Sequence, residues 1–265
     1  MIDTHCHLTD SRLLDQIDAV LERAKRARVN RIVTIACEPA DWVDAVALAA
    51  KYENVYCAVG MHPCYLPNNG TPRSDTPTPS REEVDQLLSA HLQKPRVVAI
   101  GEIGLDRHWD KSEPTFKLQV KYFESQLQLA TDLDKPVVLH TREAVDEGLD
   151  ILASFPKVRA VFHSFTGTPQ QAKRITDNGY LIGFTGPVTY KKNDDLRKAA
   201  RECPIDQLLI ETDGPYLSPE PVRAQRINEP AFVAHIAACI SREKGVSVEA
   251  FDEATTRNAR EFFGF

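Results

Sequence analysis

Short β-branched and aliphatic runs alternate along the chain with longer stretches whose apolar positions recur at helical spacing. Strand-like runs fall at 31–36 (RIVTIA), 55–60 (VYCAVG), 97–101, 136–140 (PVVLH), 158–163 (VRAVFH), 180–184 and 207–211 (QLLIE), and another opens the chain at Ile2. Helical patterns fall at 13–29, 40–52, 80–91, 113–133, 143–155, 169–178, 194–202, 229–244 and 247–263. In the first of these Leu14, Ile17, Leu21 and Ala24 share one face. Ser80 with Glu83 three residues on predicts a capping box, and Gly179 closes the helix before it. The segment 67–80, rich in Pro, Thr, Ser and Asn, reads as a mobile loop after the third strand. Eight strands, each followed by a helix, imply parallel pairing. Eight such units in about 250 residues predict a closed TIM-type (β/α)8 barrel. A doubly wound open sheet is the alternative, and no Gly-x-Gly-x-x-Gly follows the first strand to support it. No linker divides the chain, so 1–265 reads as one domain.

Composition narrows the function classes. With 42% hydrophobic and 26% charged residues, the chain reads as an ordinary globule with a sizeable core. No apolar run approaches a membrane span, and the N-terminus lacks the basic-then-apolar pattern of a signal peptide. A cytoplasmic location is therefore expected, without a membrane or an obligate protein partner. The 6 cysteines show no zinc-knuckle spacing and read as reduced, buried thiols. A formal charge of −6 argues against a broad, nonspecific nucleic-acid binder. It leaves room for an enzyme that holds a short piece of nucleic acid.

In such a barrel the functional side chains sit at the C-terminal ends of the strands. His5 and His7, two apart, share a face of the first strand, with Cys6 on the other. The third strand runs into His62, the fourth into Gly101-Glu102-Ile103-Gly104-Leu105-Asp106, the fifth ends in His140, the sixth in His163, and the eighth runs into Asp213. Four histidines and two carboxylates exceed what one ion with an open position needs, and suit two ions sharing a carboxylate. Glu102, between glycines on a middle strand, is the expected bridge. His5, His7 and Asp213 are assigned to one ion, His140 and His163 to the other. Asp213 is also the expected acceptor of the attacking water's proton, so Glu102 and Asp213 are the catalytic pair. Imidazole suits Zn²⁺ or Mn²⁺ better than Mg²⁺, and carboxylates reverse that preference, so all three ions stand as candidates.

The segments IDTHCHLTD, VGMHP, AIGEIGLD, KPVVLHTREA, VFHSFTG, LLIETDGPYL and RINEP, in that order, run through almost the whole chain. In them the chain resembles the TatD family of metal-dependent deoxyribonucleases, within the amidohydrolase-like barrels. The resemblance implies metal ligands at His5, His7, Glu102, His140, His163 and Asp213, the same six residues. It also implies phosphodiester cleavage, with nucleotides removed stepwise from a DNA 3′ end. Two departures stand out: the long 67–79 segment, and Asp106-Arg107-His108-Trp109, where many relatives carry a tyrosine after the aspartate.

Around that core, His62, Arg142 and Arg226 are the expected substrate contacts, with single-stranded DNA 3′ ends as the partner. Lys191, Lys192 and Arg223 lie in loops after strands seven and eight, where barrels often bind phosphate. Trp109, Phe165, Tyr190 and Tyr216 are candidates for base stacking. Glu211 shares strand parity with Asp213 and is placed to support a histidine. Cys64 reads as a buried thiol, His108 as a surface residue, and His91 and His235 as helix residues away from the rim. The alternative function is a binuclear esterase or lactonase of the same barrel type. Such enzymes commonly bridge their ions with a modified lysine, where this chain has Glu102.

Overall fold

The computed structural model describes residues 1–66 and 79–265. The 67–79 segment, read as a rim loop, lies outside the described residues up to its last position. In chain order the elements are β1 (Ile2–Cys6), α1 (Ser11–Leu14), α2 (Ile17–Arg26), β2 (Arg31–Ala36), α3 (Pro39–Lys51), β3 (Val55–Val59), α4 (Arg81–Leu92), β4 (Val97–Asp106) and α5 (Glu113–Leu133). They continue with β5 (Val137–Arg142), α6 (Val145–Leu152), β6 (Ala160–Phe162), α7 (Pro169–Asp177), β7 (Leu181–Phe184), α8 (Asp194–Glu202), β8 (Leu208–Ile210), α9 (Val233–Lys244) and α10 (Val248–Phe263). All neighbouring strands pair in parallel in the order β1 to β8.

The seam between β1 and β8 closes by a single bridge, Cys6 to Gly214. Around it Asp213 N donates to His5 O at 2.9 Å and His7 N to Gly214 O at 2.7 Å. Asp3, wholly buried, ties the two strands together. Its carboxyl oxygens accept from Thr212 N at 2.8 Å and Thr212 Oγ1 at 2.6 Å. The expected (β/α)8 barrel is thus the fold.

Strand parity divides the apolar residues into two layers. Ile32, Val59, Leu139, Phe162, Ile182, Phe184 and Leu208 face the helices. Val33, Ile35, Ala58, Val138, Val161 and Leu209 fill the interior. Phe262 and Phe263, near the end of α10, join that interior cluster, and Asn258 of the same helix donates to Leu208 O at the start of β8. Helix α10 therefore plugs the N-terminal mouth and leaves the opposite rim for chemistry. The capping box forms as read, Ser80 N to Glu83 Oε2 at 2.8 Å and Glu83 N to Ser80 Oγ at 3.3 Å. Among the described residues no helix is long and apolar enough to cross a membrane.

Among the boundaries that differ from expectation, three are instructive. The helical stretch 13–29 is two helices, α1 and α2, because Asp10 caps a first short turn. Helix α6 spans Val145–Leu152 rather than 143–155, since Glu143 sits at φ 54°, outside helical space. Strand β4 runs to Asp106 instead of ending at Gly101. Its glycines mask the strand pattern, and the extension carries a further site residue.

Candidate metal centre

The interior face of the barrel changes character toward the C-terminal rim. Two residues past Val138 on the same face stands His140; two past Val161, His163; two past Leu209, Glu211. Ala58 leads in the same way through Gly60 to His62. The period-2 pattern that packs the bottom of the barrel thus aims the polar groups at the top. They line a cavity of about 1010 Å³ whose floor holds His7, His62, Glu102, His140, His163 and Asp213.

Glu102 is the hub. Its Oε1 lies 2.7 Å from His140 Nδ1, 3.4 Å from His62 Nε2 and 3.8 Å from His163 Nε2. Its Oε2 lies 3.4 Å from His5 Nε2. Asp213 Oδ1 lies 3.3 Å from His7 Nε2 and 3.8 Å from both His5 Nε2 and His163 Nε2. The structure therefore gathers all six expected ligands, with Glu102 at their centre. The grouping is finer than the spacing suggested. His163 stacks on His5 at a ring-centroid distance of 3.4 Å, while His140 packs against His62 at 4.4 Å.

Two carboxylates behind the histidines set which nitrogen faces the hub. His140 Nε2 bonds Asp106 Oδ2 at 2.8 Å, and His163 Nδ1 faces Glu211 Oε1 at 2.8 Å. Metal-ligating histidines are ordinarily held this way, the far nitrogen on a carboxylate and the near one toward the ion. Glu211 was named from parity. Asp106 was placed at the rim but given no role, because β4 was expected to stop at Gly101; in the continued strand Glu102, Gly104 and Asp106 share one face. Gly104, at φ 135°, is required there: a Cβ would fall on the carbonyl oxygen of His140. Gly183 likewise leaves room for the Glu211 carboxylate.

The charge states fit a cation-binding centre. Burial disfavours charge on Glu102, yet the surrounding imidazoles hold its carboxyl far below the usual range. Burial acts the same way on Asp213, and His7 leads the groups that keep it low. Burial also opposes charge on His140, but bonds to Asp106 and then Glu102 raise it to about 9. An imidazole bonded to carboxylates through both nitrogens carries both protons; a divalent ion beside Glu102 would take the place of the Nδ1 proton. His5 is pushed down by burial and by His163, and both its ring nitrogens are buried without a hydrogen-bond partner. A neutral imidazole with two orphaned nitrogens, among carboxylates, is the donor set that a borderline-soft divalent ion takes.

The remaining expected residues separate. His62 and Arg142 line the cavity. Arg142 stacks over Trp109 at 5.8 Å and does not pair with Glu143, which holds His108 and Lys111 instead. Arg226 is exposed and is not among the cavity-lining residues. Arg226 thus stands on the surface outside the cavity, while its neighbours in the chain are anchored. Asn228 Nδ2 donates to Thr212 O at 2.7 Å and Tyr216 O at 2.6 Å, and Glu229 pairs with Arg23 at 2.6 Å. The RINEP segment thus braces the loop that carries Asp213.

Arg223 packs over Tyr190 at 3.8 Å, and neither residue lines the cavity, nor do Lys191 and Lys192. Trp109 and Tyr216, 54% and 38% exposed, stand on its walls; Phe165 lines it too, but is buried against Phe184. Cys6 turns to Gly214 O, away from the centre. Cys64 lies 3.6 Å from Asp106 Oδ2. His91 bonds Leu87 O within its own helix, and His235 packs on Phe232.

A (β/α)8 barrel with four histidines and two carboxylates converging on one open rim defines a metal-dependent hydrolase. Comparison with known proteins narrows that class. The chain belongs to the TatD-related DNase family, whose model matches residues 2–264. It is 34% identical to the metal-dependent hydrolase YabD of Bacillus subtilis over 99% of this chain and 98% of the relative. It is 34% identical to the metal-dependent hydrolase YcfH of Escherichia coli K12 over 99% and 95%. Among solved structures it matches YjjV, a TatD homologue from Escherichia coli K12, with a TM-score of 0.90, 31% identity and coverage of 100% and 98%.

Proposed function

We propose that this chain is a two-metal phosphodiesterase that removes nucleotides from single-stranded 3′ ends of DNA. The observation that carries the reading is Glu102, in reach of His5, His62, His140 and His163 on the floor of an open cavity. Two divalent ions bound there would polarise a phosphoryl oxygen and lower the pKa of a nearby water. His5, His7 and Asp213 would hold one, His140 and His163 the other, with Glu102 shared. Asp213, kept ionised, accepts the proton of the attacking water. Arg142 at the wall pairs with a flanking phosphate, and Trp109 and Tyr216 offer faces on which unpaired bases stack.

The opposite wall supports a short substrate. Asp10, Glu38, Asp41 and Asp44 line it; Asp10 is paired with Arg12, and the other three disfavour a polyanion laid along that side. Few phosphates are then engaged. Each phosphate neutralised on a single strand contributes about −0.7 to the slope of log affinity against log salt, so two or three predict a slope near −2.

The test is a time course on 5′-labelled DNA with metal-reconstituted protein. A ladder that shortens one nucleotide at a time, faster on free than on paired 3′ ends, is the expected result. Asp213→Asn should lower turnover by at least ~10²-fold, the lower end of general-base contributions. Immediate internal fragments, or equal cutting of closed circles, would identify an endonuclease. Turnover of a lactone panel with DNA untouched would favour the esterase reading.

A further inference from the structure

We propose that His62 is the hydrogen-bond donor that binds a non-bridging phosphoryl oxygen of the substrate, through Nε2–H of a neutral imidazole whose tautomer is fixed by the backbone N–H of Cys64. The proposal rests on the phosphodiester reading above and gives that site a specific recognition element. His62 caps a 3₁₀ turn, Pro63–Tyr65, and its Nδ1 accepts the Cys64 N–H at 3.0 Å. A nitrogen that accepts a backbone N–H carries no proton, so the ring's proton sits on Nε2. Adding a second proton to Nδ1 would set two donors against each other. Within this turn the ring is held neutral, with its donor end fixed.

The donor end reaches the centre. Nε2 lies 3.4 Å from Glu102 Oε1, an oxygen that His140 holds more closely at 2.7 Å, so the His62 N–H has only a long contact there, which a closer phosphoryl oxygen would replace. His62 lines the cavity with its side chain 9% exposed. Its backbone is pinned on both sides, N to Cys37 O at 3.0 Å and O from Tyr65 N at 3.0 Å. Tyr65 and His140 meet the ring edge-on at 6.0 and 4.4 Å. A donor this constrained pays little reorganisation when charge develops on an equatorial phosphoryl oxygen.

The same geometry argues against His62 as a metal ligand. His62, Cys64 and His140 do bring ligand atoms within 4.8 Å of one another. A ligating histidine, however, donates from its other ring nitrogen, and here that nitrogen accepts. Coordination through Nε2 would require breaking the Cys64 bond.

The experiment compares His62→Ala, His62→Gln and His62→Asn in the metal-reconstituted enzyme. The glutamine amide nitrogen replaces the Nε2 donor, whereas the asparagine oxygen replaces only the Nδ1 acceptor. The readouts are metal content, inhibition by inorganic phosphate, kcat and KM on single-stranded DNA, and the ¹⁵N resonances of His62 in the unmodified protein. His62→Ala should keep its metal, bind phosphate roughly tenfold more weakly, as for loss of one bond to a charged group, and lose about 10²-fold in kcat/KM. Glutamine should restore most of both losses and asparagine neither. The ¹⁵N pattern should be that of the Nε2–H tautomer.

Rescue by asparagine but not glutamine would assign His62 to the turn. Metal loss in His62→Ala would make it a ligand, and an Nδ1–H tautomer would remove the donor; each outcome overturns the proposal. If the unmodified enzyme cleaves no DNA while phosphate binding still depends on His62, the phosphodiesterase reading fails and the donor stands. If DNA is cleaved and His62→Ala is indistinguishable, the donor fails and the reading stands.

Discussion

At the scale of single residues, the centre depends on groups that need touch no substrate. Asp106 and Glu211 stand behind His140 and His163 and turn their other ring nitrogens to Glu102. Burial works against charge on Asp106, but its bond from His140 keeps the carboxyl at about 2, so it stays anionic through ordinary pH. Asp106→Asn keeps an acceptor for His140 Nε2 and removes the charge. Metal affinity, measured by competition with a chelator, should fall ~10–100-fold, the usual effect of losing an outer-shell partner. Unchanged affinity would show that Asp106 only packs.

At the scale of elements, the loop after β8 carries Asp213 at φ 56°. Such a conformation is strained for a side-chain-bearing residue and persists where its surroundings over-determine it. The surroundings here are Asp3, which grips Thr212, and Asn228, which bonds the carbonyls of Thr212 and Tyr216. Asn228→Ala leaves two carbonyl oxygens short of a donor, one of them deep in the barrel. Stability should drop by roughly 1–3 kcal/mol, with metal affinity falling alongside because Asp213 loses its brace. Arg226→Ala, two residues away but exposed, should leave both unchanged. Thermal melts and metal titrations of the two variants decide the matter; equal effects would contradict the division of labour within RINEP.

At the scale of the whole molecule, the centre stores protons that metal displaces. In the metal-free protein His140 is raised from 6.5 to about 9 because the Asp106 and Glu102 bonds outweigh burial. Its contribution to stability is fully present below pH ~6.5 and is lost as pH rises through about 9. Asp3, raised by burial to about 8, also binds a proton in the folded state that the unfolded chain has released, which steepens the same decline. Metal-free protein should therefore melt progressively lower as pH climbs from ~6.5 to ~9. The gain on adding metal should grow across that range, since fewer protons must then be displaced. A flat melting temperature over the window would refute the coupling.

The sequence by itself determined the barrel and most of the centre, because both are written in local periodicity. Strand parity and rim position pointed to His5, His7, Glu102, His140, His163 and Asp213, and the same parity reached Glu211 behind His163. What it did not determine depends on contacts between segments distant in the chain. The role of Asp106 behind His140 emerges only when β4 runs on past Gly101 and pairs with β5, a long-range ladder that its glycines conceal. Arg226 reads as a phosphate contact in the sequence, and its exposed place outside the cavity, beside the anchored Asn228 and Glu229, is set by tertiary packing. The proton on His62 was undecidable from residue type, since the choice between its nitrogens belongs to one backbone N–H in a three-residue turn. Periodicity specifies which face a residue takes; only tertiary structure decides which neighbour it meets there, and that neighbour sets charge, tautomer and role.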